Sequence, residues 1–298
     1  SLVKVKIGGK PATLINVNNE GLYCFVPQGA YKGNIEVTVG DEQQGNQQTA
    51  TAADNFEYER KMVVGTLCGY RNERDDQGWR DGSFETVAGF RYDPLNHNHL
   101  YVCYDGGIGI QLIDLEKKQV TTPISSGAFP TNRLRSIDFT LDGQYMLVAV
   151  DRDREGNRSP SVYIIKRNAD GTFDMNSDRQ LLAAYKQCNG ASVHPVNGEL
   201  YFNSYENGQV FRLDLNKYFE TINNGGTWNP YVIENKDAIE QLFTIQDNNW
   251  EFQIDIHPSG KYAYIVVINK HYILRTDYNE KTHKFAAPYI VAGRMGND

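Results

Sequence analysis

Five polar stretches, residues 75–84, 129–135, 151–160, 205–208 and 246–253, hold the side chains best suited to chemistry. They carry Trp79, Arg80, Asp81, Arg133, Arg135, Asp151, Arg152, Tyr205, Trp250 and Gln253. An aromatic face beside guanidinium, carboxylate and amide groups suits a sugar, whose C–H faces stack on rings while its hydroxyls exchange hydrogen bonds. Trp79 and Trp250 would supply the faces, and the remaining residues the polar contacts. Two plainer explanations stand beside this one. Tryptophan is largely buried in proteins that bind nothing, and the run from Asp151 through Arg152, Asp153 and Arg154 alternates in sign as a solvated loop does.

Catalytic residues are harder to find. His194 and His257 each precede a proline at the same place in a repeated segment, and His97 and His99 fall in the corresponding turn of an earlier copy, so all four are expected to be turn residues. There is no Gly-x-Ser-x-Gly nucleophile and no phosphate-cradling glycine loop ahead of a helix. A metal-dependent hydrolase or lyase is the alternative function, and it would need carboxylate and amide ligands that converge. Asp81, Asp151, Asn189 and Glu251 are the candidates, spread over four repeats without diagnostic spacing. Cys24, Cys68, Cys103 and Cys188 form no Cys-x-x-Cys pair, which argues against zinc. Cys68 and Cys103 sit in apolar strand patterns, where a thiol is a small hydrophobe. No cofactor is therefore expected, with calcium the one exception left open.

Composition narrows the partners. The 298 residues carry a formal net charge of -7, which opposes nucleic acid, and no Lys/Arg cluster offsets it. No apolar run approaches the roughly 18 residues of a membrane-spanning helix. With 19 Tyr and 13 Phe against 10 Pro, and 27 Gly for turns, the chain should be built of strands.

The elements that must position the polar stretches come from a repeat. Phe90-Arg-Tyr-Asp-Pro, Ile137-Asp-Phe-Thr-Leu-Asp-Gly, Ala191-Ser-Val-His-Pro and Ile254-Asp-Ile-His-Pro-Ser-Gly each lead through a turn into a strand rich in Tyr, Val and Leu. A third strand follows each hairpin, near residues 110, 161, 209 and 272, and then a fourth, near 119, 180, 231 and 289. Four strands per repeat predict propeller blades, whose loops into the first strand and between the second and third surround a central channel mouth. The five polar stretches are those loops. Residues 62–68 read as an additional outer strand, so the count predicts a ring closed by further blades after Asp298.

Residues 1–58 form a separate small sandwich pattern. Its "IGGKPA", "VPQGAYKGNIEVTV" and "FEY" segments resemble the IPT/TIG domain, an immunoglobulin-like module, which normally opens with a further strand pair, so its start looks cut. The "P-x-G" and "L-Y-V" punctuation over 60–298 resembles NHL-type six-bladed β-propellers. The pairing resembles exported proteins of Bacteroidetes found beside glycan-utilisation machinery, some of them named as candidate hydrolases. The resemblance implies an all-β protein: an immunoglobulin-like (TIG) sandwich at 1–58, then an NHL-like β-propeller over 60–298 with four of six blades. It implies export to the cell surface or periplasm, and non-enzymatic binding of carbohydrate or another small ligand at the channel mouth. Other cell-surface proteins are the further partners it suggests.

Overall fold

A computed structural model describes residues 3–18, 20–27, 30, 32–57, 67–68, 86–152, 155–204, 207–245 and 252–293. The chain divides into two compact units, Ser1–Thr66 and Leu67–Asp298. In the first, the strand Val3–Ile7 lies between Lys10–Pro11 and Ile35–Val39, and Gln48–Thr51 flanks the latter. Two short pairs, Thr13–Val17 with Leu22–Phe25 and Lys32–Gly33 with Phe56–Glu57, complete it. Alternation along Val3–Ile7 buries Val5 and Ile7 against Leu14, Leu22, Ile35, Val37 and Phe56.

Among the described residues, the second unit contains four antiparallel sheets, each pairing its strands in chain order. The first is Val87–Asp93, Asn96–Tyr104, Gly109–Asp114 and Gln119–Ser125, and the second is Leu134–Phe139, Tyr145–Val150, Ser159–Lys166 and Arg179–Tyr185. The third is Ala191–Val193, Leu200–Ser204, Gln209–Leu213 and Ile239–Thr244. In the fourth, Phe252–Ile256, Tyr262–Val267 and Tyr272–Asn279 are followed by Tyr289–Gly293 along part of the third strand and Lys284–Phe285 along the rest. The first strands of successive sheets lie side by side. Arg91 of the first sheet comes within 3.5 Å of Asp255 in the fourth. The sheets therefore radiate from a shared centre as propeller blades.

The second and third blades are apolar on both faces because each is covered by a neighbouring blade on either side. Along Tyr145–Val150, Met146, Val148 and Val150 pack with Tyr101, Cys103 and Ile110 of the first blade. Leu147 and Ala149, on the opposite face, pack with Leu200, Phe202 and Phe211 of the third. Tyr201 continues the series against Ala263, Ile265 and Val267 of the fourth. Full burial of side chains of this size stabilises by roughly 1.5–3 kcal/mol each. On the far face of the fourth blade Tyr264 is 39% exposed, whereas Tyr101, Leu147 and Tyr201 at the same place in the other blades are buried.

One expected strand is misplaced. The sequence suggests residues 231–233 as the outer strand of the third blade, but Ile239–Thr244 takes that position. An unforeseen α-helix, Leu215–Asn223, intervenes; the Asp214 side chain caps it by accepting from the Asn216 amide at 3.0 Å. The chain then turns back towards the second blade, where Tyr231 makes a parallel bridge to Ala184. Val232 is buried in the same cluster as Tyr218 of the helix. Of the expected strand 62–68, residues 62–66 lie outside the described residues, and Leu67 and Cys68 belong to no strand.

The hairpin turns lock blades together at the end opposite the polar loops. His194 Nδ1 accepts from the amides of Val196 and Asn197, at 3.3 and 3.2 Å, so its proton sits on Nε2, which donates to the carbonyl of Gly260 in the next blade at 2.9 Å. Gly260 has φ +71°, and a Cβ there would lie 2.6 Å from His194 Cε1. Gly260→Ala should cost at least about 1–2 kcal/mol from its left-handed backbone alone, measurable by chemical denaturation. Burial holds the His194 imidazole below its ordinary pKa. The unfolded chain then binds the extra proton first, so stability should fall as pH drops below about 6.5 and level off beneath the folded value. Substituting His194→Gln should flatten that slope in denaturation curves taken between about pH 5 and pH 8.

Candidate functional site

Strand ends place four charged residues at the mouth of the propeller. Asp105 follows the second strand of the first blade and Asp151 the second strand of the second blade, while Arg133 and Arg135 stand where the inner strand Leu134–Phe139 begins. Two residues apart on extended chain, the arginines project to one side. Backbone pairing brings the elements together: Asp105 bridges Arg133, and the Asp151 amide donates to the Arg133 carbonyl at 2.9 Å.

The side chains form a lattice of ion pairs. Arg135 donates to Asp151 Oδ2 from Nε at 3.1 Å and from Nη2 at 2.6 Å, and to Asp105 Oδ2 from Nη1 at 2.7 Å. Arg133 reaches Asp105 Oδ1 from Nε at 2.9 Å and Asp151 Oδ2 from Nη2 at 3.0 Å. Two positive and two negative charges thus cancel within one cluster. The Asp151 side chain is 2% exposed and that of Arg135 10%, while Arg133, at 46%, faces outward. Charge-assisted, forked bonds of this kind hold the two blades in register at the mouth.

Beside the lattice lies a cavity of about 440 Å³ lined by Pro130, Thr131, Asn132, Arg133, Asp151, Arg152 and Gln187. Its size falls within the range of small-molecule sites. Thr131 Oγ1 accepts from the Arg133 amide at 3.1 Å and donates to the Asp151 carbonyl at 3.3 Å. Arg152 Nη1 donates to the Pro130 carbonyl at 2.7 Å.

Below the mouth the inner strands close together. A Cβ on Gly89 would lie 2.8 Å from Ser136 Cα, so only glycine permits this approach. Ser136 Oγ accepts from the Ala191 amide at 2.9 Å, joining the second and third inner strands. One step further along, Arg91, Asp138, Ser192 and Asp255 occupy the same repeat position in the four blades. Arg91 binds Asp138 through Nε at 3.1 Å and Nη2 at 3.3 Å, and the Val193 amide donates to Asp138 Oδ2 at 2.8 Å. Burial pushes the Asp138 carboxyl above its usual pKa, against the pull of Arg91 and that amide.

Of the residues singled out from sequence, the structure brings Arg133, Arg135 and Asp151 into one cluster and puts Arg152 on the cavity wall. Gln253 is exposed on the inner strand of the fourth blade and does not line the cavity. Trp79, Arg80, Asp81, Tyr205 and Trp250, with Asp153, Arg154 and Glu251, lie outside the described residues. The metal candidates that are described do not converge as ligands: Asp151 is bound to the two arginines, and Asn189 is buried with its amide donating to Asn203 Oδ1 at 3.0 Å. No group of three or more His, Cys, Asp or Glu suited to a metal occurs among the described residues. Burial pushes the Cys103 and Cys188 thiols up to about 12, far from a reactive thiolate. Asp105, Thr131, Asn132 and Gln187 are the site residues that sequence reasoning missed. Asp105 had a legible signal, since it and Asp151 both end a blade's second strand.

No protein-family model matches the chain, and no curated protein does. Among solved structures, the chain is 57% identical to a candidate phosphatase from Bacteroides thetaiotaomicron, with a TM-score of 0.75 over 99% of this chain and 66% of that one. It is 36% identical to an auxiliary nutrient binding protein of the same species, with a TM-score of 0.64 over 99% of this chain and 64% of that one. A second auxiliary nutrient binding protein, from Bacteroides ovatus, is 26% identical, with a TM-score of 0.62 over 98% of this chain and 64% of that one. The chain spans a little under two thirds of the length of each. Among the described residues, no helix is long and apolar enough to cross a membrane.

Removing one partner from the lattice strands a buried charge. Asp151→Ala should therefore destabilise the protein by about 3–5 kcal/mol in denaturant titration. The double variant Asp151→Leu/Arg135→Met should cost less than the sum of its single changes.

Proposed function

We propose that the protein binds a small hydroxylated ligand, a carbohydrate in the first instance, at the propeller mouth without transforming it. The observation that carries this is the polar cavity beside Arg133: Asp105 and Asp151 pair with Arg133 and Arg135, and Thr131, Asn132, Arg152 and Gln187 add hydroxyl, amide and guanidinium groups to the lining. Similarity to two auxiliary nutrient binding proteins, at 36% and 26% identity, supports binding as the task. Trp79, Tyr205 and Trp250 are proposed as stacking faces on residue type alone. Export to the cell surface or periplasm, alongside other cell-surface proteins, belongs to the same proposal. So do the TIG-like identity of 1–58 and the NHL-like identity of 60–298. A six-bladed ring is part of it too, supported by the uncovered Tyr264 face of the fourth blade.

Calorimetric titration of the full chain against host and plant oligosaccharides should detect saturable binding. Asn132→Ala and Arg133→Ala should each weaken it about tenfold, the loss of one or two hydrogen bonds from a ligand. Absence of binding across the panel would overturn the proposal, and turnover of a bound saccharide would overturn its non-enzymatic part.

A further inference from the structure

The cavity at the mouth is not electrically neutral. Its lining carries two guanidinium groups, Arg133 and Arg152, against one carboxylate, Asp151. The three are not equally accessible. Asp151 is sealed in, its side chain 2% exposed and its Oδ2 accepting from Arg135 Nε and Nη2 and from Arg133 Nη2. The side chains of Arg133 and Arg152 are 46% and 22% exposed. The lining thus presents a net positive charge on its accessible groups. Asp105 and Arg135, outside the lining, offset one another and leave that balance as it is. Glu155 stands 3.9 Å from Arg152 Nη2 with its side chain 55% exposed, a loose pair that water screens.

Both guanidiniums are held in place. Arg133 is anchored by Asp105 and Asp151, and Arg152 by Nη1 donating to the Pro130 carbonyl at 2.7 Å. Fixed arginines lining a cavity suit a carboxylate, which accepts charge-assisted bonds from the planar fork. A phosphate monoester fits less well, since it carries close to two negative charges at neutral pH, and sites for it commonly draw on backbone amides. Here the Arg133 amide is committed to Thr131 Oγ1 and the Asp151 amide to the Arg133 carbonyl. Asn132, exposed in the same lining, adds an amide for a ring hydroxyl.

We infer that the ligand of this cavity is an acidic sugar, a hydroxylated molecule carrying a carboxylate, with Arg133 and Arg152 as the residues that select its charge. This rests on the binding function proposed above and narrows its ligand class.

The test is calorimetric titration of the full chain with D-galacturonate, tetragalacturonate and the methyl ester of each, which keeps every ring hydroxyl and removes the charge, and with D-galactose 6-phosphate. Each acid should bind at least about tenfold tighter than its ester. Raising sodium chloride from about 50 to about 500 mM should weaken the acids and not the esters. Arg152→Gln should shrink the ratio of acid to ester affinity about tenfold. Glu155→Gln, at an exposed position outside the lining, should raise that ratio about two- to fivefold by removing the competing carboxylate. Esters bound as tightly as acids, or a ratio unmoved by both substitutions, would overturn the inference while leaving the binding function standing. Preference for the phosphate overturns it as well. Failure of all these probes, with neutral oligosaccharides still bound, also overturns it, and failure of both panels removes the binding function too.

Discussion

A β-sheet that is apolar on both faces has to be covered twice, and that requirement governs the second unit. Leu147 and Met146, neighbours on one strand, are both fully buried because they face different blades. The arrangement that covers successive two-faced sheets is a fan about a shared centre. Once the fan exists, the inner strands must converge, and their convergence sets what the centre can hold. Gly89 lacks a side chain where its strand meets Ser136, and Ser136 in turn ties down Ala191.

Convergence also explains the polar centre. Inner strands that all point their side chains at one axis cannot fill it with large apolar groups. Arg91, Asp138 and Asp255 instead balance charge across blades that are far apart in sequence. Asp138 bears the strain of that solution. Its carboxyl is buried enough to raise its pKa even beside a guanidinium, which costs more than an exposed pair would but ties the inner strands of the first and third blades to that of the second.

At the mouth the same charge-balancing logic serves a different end. Asp105 and Asp151 pair with Arg133 and Arg135 beside a polar cavity whose lining also includes Arg152. The burial of Cys103 and Cys188 and the commitment of Asp151 to arginine remove the described groups that could most readily have supplied a nucleophile or a metal ligand.

Local pattern was enough to recover the hairpins. The runs at Phe90, Ile137, Ala191 and Ile254 alternate or stay apolar according to how many faces are buried, and Pro and Gly mark the turns between them, so the first three strands of each of the four described blades were legible in one dimension. The same repeat carried Arg133, Arg135 and Asp151 to the mouth. What it did not carry was any contact between blades. The outer strand of the third blade lies at Ile239–Thr244 rather than 231–233, and Val232 is buried instead in a core shared with the second blade, a contact with no local signature. Asn132 and Gln187 came to line the cavity only when segments distant in sequence met. Which arginine each carboxylate neutralises, and which polar atoms are left over for a ligand, depends on distances between residues tens of positions apart. Those distances exist only after the sheets have packed.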